Sequence, residues 1–229
     1  MAAPKCFRPV PALPHASAPV LTAGAPLDAA TYALVLTHGR GADAEGMLDL
    51  AGALALPSSV AVLAPQADGG TWYPYRFLEP TFENEPWLSG ALACVARVVA
   101  SVEAAGIPSE RIIVGGFSQG ACLALEYAMR HGRRYAGLLG FSGGMIGPEG
   151  QRWPCTGDFA GTPALLACHD ADPHIPLMRV EETARALEAC GARIDARLYR
   201  GNLHTITPDA IRAAQALVAE AFSAADTRP

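Results

Sequence analysis

Gly116-Phe117-Ser118-Gln119-Gly120 is the stretch that most restricts what this chain can fold into. On its N-terminal side, Arg111-Ile112-Ile113-Val114 is a short apolar, β-branched run that predicts a buried strand. On its C-terminal side, Ala121 to Arg130 is rich in helix formers and free of glycine and proline, which predicts a helix. Strand must therefore become helix within a few residues, and glycines flanking the serine allow a turn too tight for a neighbouring Cβ. Such a turn holds the serine hydroxyl out of the sheet, at a helix N-terminus that favours developing negative charge. A glycine-flanked serine also arises by chance in a chain with 23 glycines, so its weight depends on this context and on partners downstream.

The same alternation runs along the chain. Ala33–Thr37, Val60–Ala64, residues 111–115, Gly137–Phe141, Ala164–Cys168 and Ile194–Tyr199 read as strands. Helical patterns cover Ala44–Leu56, Trp87–Ala105, residues 119–131, Leu177–Cys190 and Pro208–Phe222. Apolar strands alternating with helices predict an α/β fold, a mostly parallel sheet with helices on both faces. No repeat, linker or low-complexity segment divides the chain, so it reads as a proline-rich lead-in (1–22) and one domain (23–229). The stretch between Phe141 and Ala164 is too short for an independent helical cap, which leaves a site bounded by loops.

Composition narrows the function classes. Half of the residues (51%) are hydrophobic, 17% are charged and the formal net charge is −5, so nothing argues for binding nucleic acid or an anionic membrane. Lys5 is the only lysine, and no basic track can be drawn. The N-terminus is interrupted by Pro4, Pro9, Pro11, Pro14 and Pro19 and builds no secretory signal, and no segment reads as a membrane span. The cysteines (Cys6, Cys94, Cys122, Cys155, Cys168, Cys190) are scattered without C-x-x-C spacing. They read as neither a metal cluster nor a disulfide framework but as small hydrophobes, which points to a reducing, cytoplasmic compartment.

A serine hydroxyl needs a general base, itself oriented by an acid, and in this strand–turn–helix setting the chain order is serine, acid, histidine. His169-Asp170-Ala171-Asp172-Pro173 follows the strand at 164–168 and supplies the acid. Asp172 is favoured, because Asp170 lies closer to the strand end and suits a turn-ordering role. Gly201-Asn202-Leu203-His204 follows the last strand and supplies the base. His15, His131, His169 and His174 all precede that strand and read as structural. Backbone N–H groups for an oxyanion come from Gln119 and from the loop Thr37-His38-Gly39-Arg40-Gly41, at Arg40. His38 reads as a brace for that loop. The Arg40 side chain reads as pairing with Asp43, Glu83 or Glu85, or else as meeting an anionic substrate group.

His38-Gly39, Gly116 to Gly120, Ser142-Gly143-Gly144, Asp172-Pro173-His174-Ile175-Pro176 and Gly201-Asn202-Leu203-His204 together resemble the carboxylesterase/phospholipase branch of the α/β-hydrolases. That branch includes acyl-protein thioesterases and lysophospholipases, and the likeness covers nearly all of the chain after about Ala23. It implies an uncapped α/β-hydrolase fold with Ser118, Asp172 and His204 as a catalytic triad and oxyanion amides from Arg40 and Gln119. It also implies no metal or other cofactor, and frequent homodimers. Eukaryotic thioesterases of the branch typically carry His-Gly-Leu-Gly-Asp where this chain has His38-Gly39-Arg40-Gly41-Ala42. The segments Thr71 to Leu78 and Asn84 to Trp87 look more like the bacterial members.

Substrate contacts are expected from loops at the C-terminal ends of the strands. The candidates are Trp72, Tyr73, Phe77 and Leu78, with Met145 and Ile146 after the Ser142-Gly143-Gly144 turn, and Arg40 and Arg76 at the mouth. The expected activity is hydrolysis of carboxylic esters or thioesters with short to medium acyl chains, acting on a small molecule. The alternatives are lysophospholipase or acyl-protein thioesterase work, lactone hydrolysis, and a non-catalytic binding role.

Overall fold

The computed structural model describes residues 12–226, so Lys5 and Cys6 lie outside the described residues. Seven strands form one sheet in the order β1-β3-β2-β4-β5-β6-β7. Six of them run parallel: β2 (Tyr32–Thr37), β3 (Val60–Pro65), β4 (Ile112–Phe117), β5 (Gly137–Phe141), β6 (Pro163–His169) and β7 (Arg193–Tyr199). Their positions agree with the sequence expectation to within a residue or two. β1 (Val20–Gly24) is the addition, antiparallel to β3 and lying across the boundary drawn between lead-in and domain. An edge strand with one neighbour and a largely exposed face carries no inward alternation that a sequence could display.

Five helices cover the sheet: α1 (Ala44–Gly52), α2 (Trp87–Ala104), α3 (Gln119–Arg130), α4 (Leu177–Ala189) and α5 (Pro208–Asp226). α1 starts where Asp43 accepts from the Gly46 N–H, and α5 starts where Thr207 does the same for Ala210. Alternate strand residues feed two cores. Val35, Leu63, Val114, Leu138 and Leu166 face α2, α3 and α4, whereas Leu34, Val62, Ile113, Leu139 and Leu165 face α1 and α5. The sheet is buried on both sides, which is why its central strands read as unbroken apolar runs.

Two expectations are corrected. α2 spans 18 residues with a mean hydropathy of 1.4, enough by length and composition to cross a bilayer. Its Leu88, Ala91, Val95, Val98, Val99 and Val102 are buried in the core, which accounts for the apolar composition. Cys155 and Cys190 are joined in a disulfide with 5.5 Å between Cα atoms, while Cys94, Cys122 and Cys168 are buried free thiols. The cysteine argument for a reducing compartment therefore falls, and with it that support for a cytoplasmic location.

Between β5 and β6, residues 142–162 contain neither helix nor strand. Arg179 of α4 holds this segment by donating to the carbonyls of Met145 (2.9 Å), Gly147 (2.7 Å) and Pro148 (3.1 Å). Trp153 Nε1 donates to Ile146 O (3.0 Å), and the disulfide fixes the far end to the close of α4.

Candidate active site

Ser118 forms the turn between β4 and α3 at φ 54°, ψ −122°, a region costly for a residue with a Cβ. Packing holds it there. A Cβ at Gly116 or Gly120 would strike the Thr37 backbone, so both positions need glycine. The Thr37 hydroxyl binds the turn from the other side, within 3.1 Å of Gly115 O and 2.8 Å of Gly120 O. As the N-cap of α3, Ser118 would ordinarily spend its hydroxyl on the helix amides. It makes no such bond, and Oγ lies instead 2.8 Å from His204 Nε2.

His204 comes from the loop after β7 and packs against Phe117 and His174. Its Nδ1 is 2.8 Å from Asp172 Oδ2, in the loop after β6. Asp172 Oδ1 accepts from the amides of His174 (2.8 Å) and Ile175 (3.1 Å). Burial pushes this carboxyl up, but the His204 hydrogen bond and the two amides outweigh it and hold the group below the usual carboxylate range. The ionised acid keeps the imidazole proton on Nδ1 and leaves Nε2 free to accept from the serine.

The other candidates separate cleanly. Asp170 accepts from the Gly201 amide (2.9 Å), so it ties the acid loop to the base loop rather than ordering its own turn. His131 hydrogen-bonds Tyr127 O (2.9 Å), and His169 is buried against Tyr199. His15 is fully buried, accepting from the Asp68 amide (3.0 Å) and donating to Trp72 O (3.0 Å).

The loop at 38–41 passes directly over the serine, where a Cβ on Gly39 would stand 3.3 Å from that of Ser118. His38 braces it, with Nδ1 donating to Gly39 O (2.8 Å) and Nε2 accepting from the Ala67 amide (3.0 Å). Burial holds its pKa below the usual histidine value, so the ring stays neutral. Among the described residues, the amides of Arg40 and Gln119 have no acceptor, as an oxyanion site requires. The Gln119 side chain pins the aromatic loop, accepting from Trp72 N (3.0 Å) and donating to Tyr73 O (2.8 Å). The expected pairing of Arg40 with Asp43, Glu83 or Glu85 is corrected: its guanidinium donates to Pro74 O (2.8 Å) and Tyr75 O (2.7 Å).

A cleft of about 250 Å³ opens beside Ser118. Apart from Arg40, Gln119 and His204, its walls are Tyr73, Arg76, Phe77, Cys122, His174 and Ile175. Tyr73 and Phe77 are where the sequence put them, whereas Trp72, Leu78, Met145 and Ile146 do not line the cleft. Trp72 is wholly buried beside the rings of His15 and His38, with Nε1 donating to His38 O (2.9 Å). Leu78 packs against the core. The amides of Met145 and Ile146 bind Thr183 Oγ1 (2.9 Å) and Glu126 Oε2 (3.3 Å), and both side chains are buried. Sequence reasoning missed Cys122, His174 and Ile175 as walls. For Cys122 the signal was there, since it lies four residues after Ser118 on the same helix and so on the same face. Burial pushes the Cys122 thiol up to about 12, and a protonated thiol is no nucleophile.

Known proteins agree with this architecture. The model of the phospholipase/carboxylesterase family matches residues 22–221. The chain is 42% identical to a phospholipase/carboxylesterase from Dyadobacter fermentans, whose crystal structure superposes with a TM-score of 0.85 over 88% of this chain and 96% of that one. It is 29% identical to acyl-protein thioesterase 1 of Eremothecium gossypii over 89% of this chain and 93% of that protein. With acyl-protein thioesterase 1 of Schizosaccharomyces pombe it shares 27% identity over 62% of this chain, spanning 64% of that protein's length. The chain belongs to the phospholipase/carboxylesterase family of serine hydrolases, on the α/β-hydrolase fold.

Proposed function

We propose that this protein hydrolyses carboxylic esters or thioesters of short to medium acyl chains through an acyl-enzyme formed on Ser118. Ser118 Oγ attacks the carbonyl carbon while His204 Nε2 takes its proton, and Asp172 holds the imidazole and stabilises its charge. The negative charge that develops on the carbonyl oxygen is met by the amides of Arg40 and Gln119. The tetrahedral intermediate collapses, and the leaving alcohol or thiol takes the proton from His204. Water, activated by the same histidine, then attacks the acyl-serine and releases the acid.

The observation that carries the reading is the unbroken line Ser118 Oγ to His204 to Asp172, 2.8 Å at each link, from a serine whose φ is positive. The size of the cleft favours the shorter acyl chains. The test is the rate on p-nitrophenyl esters from acetate to palmitate, for wild type and Ser118→Ala. We expect a maximum at short chains and a loss on the order of 10³ to 10⁶ in kcat for the variant. A maximum at palmitate would move the assignment to lysophospholipase or acyl-protein thioesterase work. Equal rates for the two proteins would sink the serine mechanism.

A further inference from the structure

The cleft carries a charge that acyl transfer does not itself require. The chain has a net charge of −5, yet the walls beside Ser118 include two arginines and no carboxylate. Arg40 is committed to the carbonyls of Pro74 and Tyr75. By pinning them it stations the next residue, Arg76. The backbone there is held further: Asn84, itself wholly buried, donates to Arg76 O (3.2 Å) and accepts from Tyr75 N (2.8 Å), and the Glu79 amide also donates to Arg76 O (3.1 Å).

The Arg76 guanidinium, by contrast, makes no hydrogen bond or ion pair with any described residue. Arg97, Arg130, Arg179, Arg193, Arg197 and Arg212 are bound to carbonyls or carboxylates, and the similarly unpaired Arg152 and Arg200 do not line the cleft. A fixed backbone presenting a free planar cation, with five donors, is an arrangement for an incoming carboxylate. Tyr73 stands in the same walls, its hydroxyl buried beside the Cys122 thiol.

Resting on the acyl-transfer reading above, we infer that the substrate is a half-ester or half-thioester of a short dicarboxylic acid, its free carboxylate bound by Arg76. The ester bond breaks by acylation of Ser118, the alcohol or thiol leaves with the proton from His204, and one water releases the dicarboxylate. Arg76 determines specificity and touches no reacting atom.

The experiment compares monoethyl glutarate with ethyl hexanoate, a neutral ester of similar length, by titrating released acid against a Ser118→Ala background. Wild type should favour the half-ester in kcat/KM, and 0.5 M NaCl should erode that preference. Arg76→Gln should lose roughly fivefold more on the half-ester than on the neutral ester, mainly through KM, with Arg76→Lys recovering part of it. Equal losses on both esters, or a wild-type preference for ethyl hexanoate, would overturn the inference while leaving the esterase reading intact. Absence of Ser118-dependent turnover of either ester would overturn both.

Discussion

At position 118 a residue with a Cβ is held at φ 54°, and the flanking Gly116 and Gly120 lie against backbone atoms of Thr37. Gly120→Ala would push its methyl group into them, and we expect a loss of about 1–3 kcal/mol in urea unfolding, with activity falling as the turn shifts. Asp172→Asn keeps an oxygen for the amides of His174 and Ile175 but ends the bias toward an Nδ1 proton on His204. A fall in kcat on the order of 10³ to 10⁴ with KM little changed is expected, and a fall under tenfold would deny Asp172 its role. His38 sets a pH dependence of stability. Its folded pKa lies below the unfolded value of about 6.5, so on acidification the unfolded chain takes up the proton first. Stability should therefore begin to fall as pH drops through about 6.5 and keep falling until the folded ring itself titrates. Melting curves of wild type and His38→Asn between pH 7.5 and 5.5 test this, the variant showing the flatter dependence.

Among elements, the aromatic loop after β3 does the positioning. Trp72 bonds at once to His38 O and to the Gln119 side chain, the two sides of the oxyanion site, and His15 holds Trp72 in place from the N-terminal segment. Arg97 of α2 secures that segment through the carbonyls of His15, Ala16 and Ala18. His15→Ala would strand the Asp68 amide and Trp72 carbonyl without partners. We expect a loss of about 1–3 kcal/mol in stability and a lower kcat on p-nitrophenyl acetate. Unchanged kcat at full stability would mean that the loop holds itself.

For the molecule as a whole, two cores share one sheet, and the stretch between β5 and β6 is held by side chains rather than by a strand or helix of its own. Its disulfide closes a loop of sequence separation 35 between Cys155 and Cys190. Closing a loop of this size contributes about 2–4 kcal/mol. Cys155→Ser, or reduction of the wild type, should lower the melting temperature by roughly 5–15 °C in a chain of this length. A change of less than a degree would mean that Arg179 and Trp153 hold the segment unaided.

Ser118 and Asp172 were legible because each follows a strand buried on both faces, which announces itself as an apolar run, whereas His204 follows the largely exposed edge strand β7 and was legible from chain order. Asp172 could be told from Asp170 for the same reason, by its distance from the strand end. Where side chains point inside the loops was not legible. Trp72 and Tyr73 are adjacent and equally aromatic, yet one packs on His38 and the other walls the cleft. The Arg40 guanidinium went to backbone carbonyls that no sequence pattern marks. Strand β1 and the Cys155–Cys190 bond likewise depend on which surfaces meet. The sequence by itself determined the six parallel strands, the elbow and the order of the reacting groups, because periodicity and glycine placement are local properties. Only the tertiary structure decided the walls of the cleft, the free cation at Arg76 and the disulfide, because these depend on distances between segments far apart in the chain.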